Sequence, residues 1–250
     1  MAGHSQFKNI MHRKKAVDAK RSRAFSKHAR LIMTAARAGG ADPATNLALR
    51  YAIDGAREEN MTNEAIERAI RNGVERAKGS EMESLTYEGY GPGGVAILIE
   101  ALTDNRARTF GEVRMAVEHN GGTLGAAGSV SWNFERRALF EVPAPAEREE
   151  AVLEAALSAE ADDCARIESG FEVTADPARF AQVKEALTSA GFKPGKSAIA
   201  WLAKSTVQLA DEHVIGLMAL LSELDDLDDV QSTATNLEWT EAALAAAERA

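Results

Sequence analysis

Apolar residues recur at steps of three and four through the first eighty positions, and from position 81 onward they gather instead into short continuous or alternating runs. Phe25, Ala29, Ile32 and Ala36 form one stripe, Leu49, Ile53 and Ala56 a second, and Ile66, Ala69, Ile70 and Val74 a third. Each stripe predicts an amphipathic helix with one face to pack. Gly39-Gly40 stops the first helix, and Asp42-Pro43 reads as an N-cap followed by proline at the first helical position of the second. Asn60 ends that helix, Thr62 caps the third with Glu64 in its first turn, and Gly79 and Ser80 close the segment.

Beyond it the pattern predicts strands over 95–102, 129–134, 138–142, 171–174, 197–203, 207–209 and 230–235, with a short strand near Cys164 to Glu168. Helices are predicted over 109–119, with Phe110, Val113 and Val117 inward, and over 147–160, 177–190 and 212–224. In 129–134 the alternation puts Val130, Trp132 and Phe134 on one face. The stretch 138–203 comes close to the order β-α-β-β-α-β, and the strand, helix and strand after it supply what the 95–134 unit lacks. The expected fold class is therefore α+β: a three-helix N-terminal domain and two ferredoxin-like αβ domains, the third inserted in the second. The expected domains are 1-80, 81-134 plus 205-240, and 135-204.

The 250 residues, 45% hydrophobic and 27% charged, suffice for two or three buried cores. Cys164 is the one cysteine, which rules out an intramolecular disulfide and favours a reducing compartment. No apolar segment follows the basic start, and no run approaches the roughly 18 residues of a membrane helix, so no membrane contact and a cytoplasmic protein are expected rather than a secreted or organelle-targeted one.

Charge changes this picture most. Residues 1-80 hold sixteen basic and eight acidic residues, a net +8, while the rest hold thirteen and thirty, a net −17. Met1 to Gly40 carries Lys8, Arg13, Lys14, Lys15, Lys20, Arg21, Arg23, Lys27, Arg30 and Arg37 against the single acid Asp18, with His4, His12 and His28 interspersed. Lys20, Arg23, Lys27, Arg30 and Arg37 fall on one side of a helix. A cationic face opposite a packed one, preceded by a basic arm, points to a polyanion, and the acidic average does not oppose it, because phosphate meets a local patch. The candidate nucleic-acid contacts are Lys8, His12, Arg13, Lys14, Lys15, Lys20, Arg23, Lys27, Arg30 and Arg37.

Other clusters are weighed against plainer readings. Gly89, Gly91 and Gly94 satisfy the dinucleotide fingerprint, but a strand follows where a helix is required, so a tight turn is favoured. Tyr87 and Tyr90 beside it are read as packing on the sheet or stacking on bases. Asp104, Asn105, Arg106 and Arg108 follow a strand end as a turn with surface cations; Tyr90, Arg106 and Arg108 form a candidate second contact patch. The histidines match no zinc spacing, and neither a metal nor a cofactor is expected. Glu223, Asp225, Asp226, Asp228 and Asp229 read as a solvated turn, with docking of the basic domain as the alternative.

Several motifs in order then resemble one family. They are Met1-Ala-Gly-His-Ser5, Asn9-Ile10 with His12-Arg13-Lys14, Glu58-Glu-Asn-Met61, Tyr87-Glu-Gly-Tyr-Gly-Pro-Gly-Gly94, Leu102-Thr-Asp-Asn-Arg106 with Arg108-Thr109 and Val113-Arg114, Gly121-Gly122 with Leu124-Gly125, Gly128-Ser-Val130, and Leu227-Asp-Asp-Val-Gln231 with Asn236. Together they resemble the YebC family from Met1 to about Asn236. The resemblance implies a basic helical domain before two αβ domains, and a regulator of gene expression described as DNA-binding, with translational activators among its mitochondrial relatives. A non-enzymatic, DNA-binding transcriptional regulator is the expectation. The alternative is a ribosome-associated translational activator on ribosomal RNA. An enzyme using the cleft between the αβ domains lacks any assembled nucleophile, base or cofactor motif. Oligomeric state stays open.

Overall fold

The computed structural model describes residues 17–75, 82–167 and 169–250, and only the backbone at 17–23 and at 75. The closing signal at Gly79 and Ser80 lies outside the described residues. Three helices come first: α1 (Val17–Gly39), α2 (Leu47–Glu58) and α3 (Asn63–Glu75). Ile32, Ala36, Leu49, Ile53, Ala56, Ile66 and Ala69 from the three expected stripes meet in one core. Val74 does not, because the last turn of α3 leaves it 47% exposed. At Gly73 an added Cβ would stand 2.5 Å from the Met33 carbonyl oxygen, so the absence of a side chain there lets α3 approach α1.

The start of α2 differs from expectation. Asp42 forms a turn instead, its carbonyl accepting the N–H groups of Thr45 and Asn46. The cap is Asn46, buried between two helices. Its Oδ1 accepts the Leu49 N–H at 3.1 Å, while its Nδ2 donates to the carbonyls of Ala35 and Gly40 at 2.8 and 2.9 Å. One amide thus satisfies the end of α1 and the start of α2, which a carboxylate at Asp42 cannot do, having no donor.

Two four-stranded antiparallel sheets follow. The first contains β1 (Glu83–Tyr90), β2 (Ala96–Thr103), β3 (Thr123–Leu124) and β8 (Val230–Thr235) in the order β3-β1-β2-β8. The second contains β4 (Phe134–Val142), β5 (Asp163–Ile167), β6 (Gly170–Ala175) and β7 (Ser197–Ala203) in the order β5-β6-β4-β7. Helices α4 (Arg106–His119), α7 (Asp211–Asp226) and α8 (Glu241–Arg249) cover the first sheet through Val113, Val117, Leu217, Leu221 and Ala246. Helices α5 (Glu149–Ser158) and α6 (Phe180–Ser189) cover the second through Val152, Ala156, Val183 and Leu187. The second sheet follows the β-α-β-β-α-β path. The first has a different strand order, third-first-second-fourth along its unit against second-third-first-fourth in the other, since its hairpin β1-β2 comes before α4 and β3.

That hairpin is the main correction to the strand assignment. β1 was hidden because Glu83, Ser84, Thr86 and Glu88 dilute its apolar content; it pairs with β2 in a sheet to which 129–134 and 207–209 contribute no strand. Ser131–Asn133 is a single 3-10 turn that leaves Trp132 67% exposed, and Val207 makes only an isolated parallel bridge to Leu237. Phe110 is also 45% exposed, at the rim of α4, because the helix turns Thr109, Val113, Ala116 and Val117 inward. Helix α8, absent from the expectation, adds Ala243, Ala246 and Ala247 to the first sheet's core.

The chain leaves the first sheet and returns along one seam. The Asn133 Nδ2 donates to the Ser205 carbonyl, and its Oδ1 accepts both the N–H and the hydroxyl of Ser205 at 2.9 and 2.7 Å. Asn133 is buried, so its removal strands partners in low dielectric. Asn133→Ala is expected to cost about 2–3 kcal/mol in urea unfolding; a loss below about 1 kcal/mol would show that the seam is held by the neighbouring apolar contacts instead.

Candidate nucleic-acid interface

The acidic segment after α7 meets the basic helix α1. Lys27 donates from Nζ to the Asp225 carbonyl at 3.0 Å and to Asp225 Oδ1 at 2.9 Å. The physical reason lies in α7, which ends with Asp225 and Asp226 at the negative end of its dipole, where the last carbonyls have no amide of a following turn to accept from. A lysine ammonium answers both. Three residues further along α1, Arg30 donates to the Asp228 carbonyl at 2.7 Å and to the Asp229 carboxylate.

Asp229 is the centre of this contact and is only 2% exposed. Its Oδ2 accepts from Arg108 at 2.7 Å, from the Thr109 hydroxyl at 2.7 Å and from the Thr103 hydroxyl at 3.0 Å, while Oδ1 faces Arg30. Burial alone would push this carboxyl up; the bonds from Arg108, Thr109 and Thr103 and the charge of Arg30 outweigh it and hold the group below its ordinary value. Asn105 caps α4 through the Arg108 N–H, which aims Arg108 at both Asp104 and Asp229. Around them lies a cleft of about 480 Å³ lined by Arg30, Met82, Arg108, Glu112, Asp226 and Asp228, among others.

Lys27 and Arg30 are thus held by internal oxygens, with side chains 15% and 24% exposed. Arg37 is half-buried on the same helix. Lys20 and Arg23 lie on α1, where only their backbone is described; Lys8, His12, Arg13, Lys14 and Lys15 lie outside the described residues. The second patch does not assemble. Arg106 pairs with Glu83 at one end of β1 and Arg108 turns to Asp229, whereas Tyr90 ends the same strand, about 23 Å away at strand rise. The docking alternative for the acidic run is what the structure contains, in place of the favoured solvated turn. Among the described residues no group of three or more His, Cys, Asp or Glu is placed to hold a metal ion.

At the Tyr90 end another carboxylate organises a loop. Glu88, 8% exposed, accepts the N–H groups of Gly128, Val130 and Ser131, each at 2.8 Å. Burial pushes its carboxyl up, but the three amide donors prevail and hold it below its usual range. The Tyr90 hydroxyl and the Trp132 indole N–H both donate to the Ser129 carbonyl, at 3.0 and 3.1 Å. The expected turn at the glycines is a 3-10 turn at Pro92–Gly94, with Gly93 and Gly94 at φ 70° and 78°. Sequence reasoning missed Glu88, Thr103 and Thr109 as structural anchors, because acids and threonines in polar stretches carry no periodic signal.

Comparison with known proteins covers nearly the whole chain. Residues 5–76 match the family model described as TACO1/YebC protein N-terminal domain, and residues 82–237 match the one described as TACO1/YebC second and third domain. A protein of Caldanaerobacter subterraneus named "Probable transcriptional regulatory protein TTE1135" is 44% identical over 239 residues, 95% of this chain and 98% of its own. A protein of Thermoanaerobacter pseudethanolicus named "Probable transcriptional regulatory protein Teth39_1009" is 42% identical over 239 residues, covering 95% and 97%. The crystal structure of the conserved hypothetical protein Aq1575 from Aquifex aeolicus superimposes with a TM-score of 0.82 at 43% identity, covering 90% of this chain and 93% of that one.

A depressed carboxyl in the folded state adds stability that is present above the unfolded value, roughly 3.9 for aspartate, and is lost as pH falls through the folded one. Asp229→Asn is therefore expected to lower stability at neutral pH and to flatten the loss of stability between about pH 5 and pH 2 relative to the parent chain. Denaturation midpoints measured across that range check it; parallel curves would remove Asp229 from the account.

Proposed function

The chain belongs to the TACO1/YebC family, and on that footing we propose that it is a non-enzymatic regulator of gene expression that grips DNA phosphates through its basic N-terminal segment. In this reading residues 1-80 are the nucleic-acid-binding domain, 81-134 with 205-240 the domain that carries the acidic clamp, and 135-204 the inserted one. The names of the relatives support a regulatory role, and the charge of the segment supports the chemistry.

The observation that carries the reading is the oxygen environment of α1. Lys27 and Arg30 are met by carboxylates and carbonyls of 225–229, the ligand class that a phosphate backbone presents. The Lys27–Asp225 pair, whose carboxylate side chain is 47% exposed, is of the kind that contributes about 0.2–1 kcal/mol, so an incoming polyanion can displace it. The basic arm and α1 then engage phosphates and release counterions. Ribosomal RNA offers the same phosphates, and sedimentation of the protein with ribosomes, abolished by salt or RNase, would replace DNA with RNA as the ligand.

With about five cations engaged on a duplex, log affinity is expected to fall against log salt with a slope of roughly −4 to −5. Replacing Arg13, Lys14, Lys20 and Lys27 with alanine should flatten the slope, as read by fluorescence anisotropy over a salt series. Charge reversal at Asp225, Asp226 and Asp228, leaving the buried Asp229 in place, should raise affinity at fixed salt. A steep slope in the alanine variant contradicts phosphate contact by the segment, and unchanged affinity after charge reversal contradicts competition by the clamp.

A further inference from the structure

The loop at the far end of β1 shows two aromatic rings to solvent and holds both in place. Trp132 is 67% exposed and Tyr90 42% exposed, and the two lie together at that loop. Neither ring is loosely held. The indole N–H and the phenol hydroxyl share the Ser129 carbonyl, so their polar atoms lie at most ~6 Å apart, each at hydrogen-bond distance from one oxygen.

The carbonyl itself is fixed. Glu88 binds the amides on either side of Ser129, at Gly128, Val130 and Ser131, and Gly125 donates its N–H to the Glu88 carbonyl. Lys204 adds a cation, donating from Nζ to the Trp132 carbonyl at 3.1 Å while remaining exposed. An ammonium has three donors, and that bond uses one. The Glu88 carboxylate in this network is buried and faces three amide dipoles, which offset part of its charge.

We propose that Tyr90, Trp132 and Lys204 form a platform for single-stranded nucleic acid, on which unpaired bases stack against the two rings while Lys204 meets the adjoining phosphate. Flat rings edge-tethered by their polar atoms leave their faces for a base, and stacking accepts any sequence. A rigid platform spends little ordering entropy on binding. The platform stands a strand's length from the α1 clamp, so it adds a second and chemically different contact. The proposal rests on the reading that the protein binds nucleic acid.

The test uses the full chain, a labelled oligothymidylate or oligouridylate of about a dozen residues, and a duplex of about twenty base pairs, in anisotropy titrations. Trp132→Ala and Tyr90→Ala should each weaken single-strand binding about tenfold and leave duplex affinity unchanged, with Trp132→Phe restoring most of the loss. Lys204→Ala should weaken single-strand binding and reduce its salt slope by about 0.7. Because Trp132 is exposed, its replacement is expected to leave the unfolding midpoint unchanged, which is measured alongside. Single-strand affinity unchanged in Trp132→Ala, or an equal loss on duplex, overturns the platform; retained duplex binding by the basic segment would then leave the proposed function standing. A parent chain that binds neither nucleic acid overturns both.

Discussion

A buried carboxylate must be met by donors, and Asp229 is where three elements of this chain meet that demand. Thr103 closes β2, Arg108 and Thr109 open α4, and Arg30 comes from the middle of α1. The Asp229 carbonyl also accepts the Leu102 N–H at 2.8 Å, which ties the register of β8 to β2. An uncompensated charge at such a site costs several kcal/mol, so the pieces are held together by the cost of leaving. The basic helix is consequently seated on the first sheet by charge compensation, while α2 leans on the second unit through Tyr51 against Phe180, with ring centroids 4.9 Å apart.

The same contact gives the helix a dual character. Its apolar face, Ile32 and Ala36, is committed to the three-helix core, and Lys27 on its cationic face is held by the end of α7. Lys27 acts there as a C-cap that corrects two aspartates placed against the helix dipole. In the proposed function the unfavourable placement of Asp225 and Asp226 has a purpose: it makes an anion that is close enough to hold the cations and exposed enough to yield them.

Much of this was legible from spacing alone. The three apolar stripes give the helical core, and strands 197–203 and 230–235 fall at their expected limits, because each has a strong period bounded by turn residues. What escaped were features whose logic is long-range. β1 reads as polar because its partners, not its own composition, make it a strand, and the cap of α2 is chosen by an amide that can serve two helices at once. The Trp132 alternation was overridden by Glu88 and Asn133, which fix a turn where period two predicts a strand. At the interface the cations and the acids were both visible as charge runs. That Asp229 would be buried while its neighbours stayed exposed depends on Thr103 and Thr109, which no pattern in the sequence connects.

The central claim is that nucleic acid and the 225–229 segment compete for the same cations, and a zero-length carbodiimide crosslink reads it directly. Lys27 Nζ and Asp225 Oδ1 stand 2.9 Å apart, so activation of the carboxylate should join them in the free protein. Peptide mass spectrometry then gives the yield of that crosslink with and without saturating nucleic acid. The account predicts a crosslink in the free chain that falls as nucleic acid binds; a yield that stays constant through saturation would contradict it.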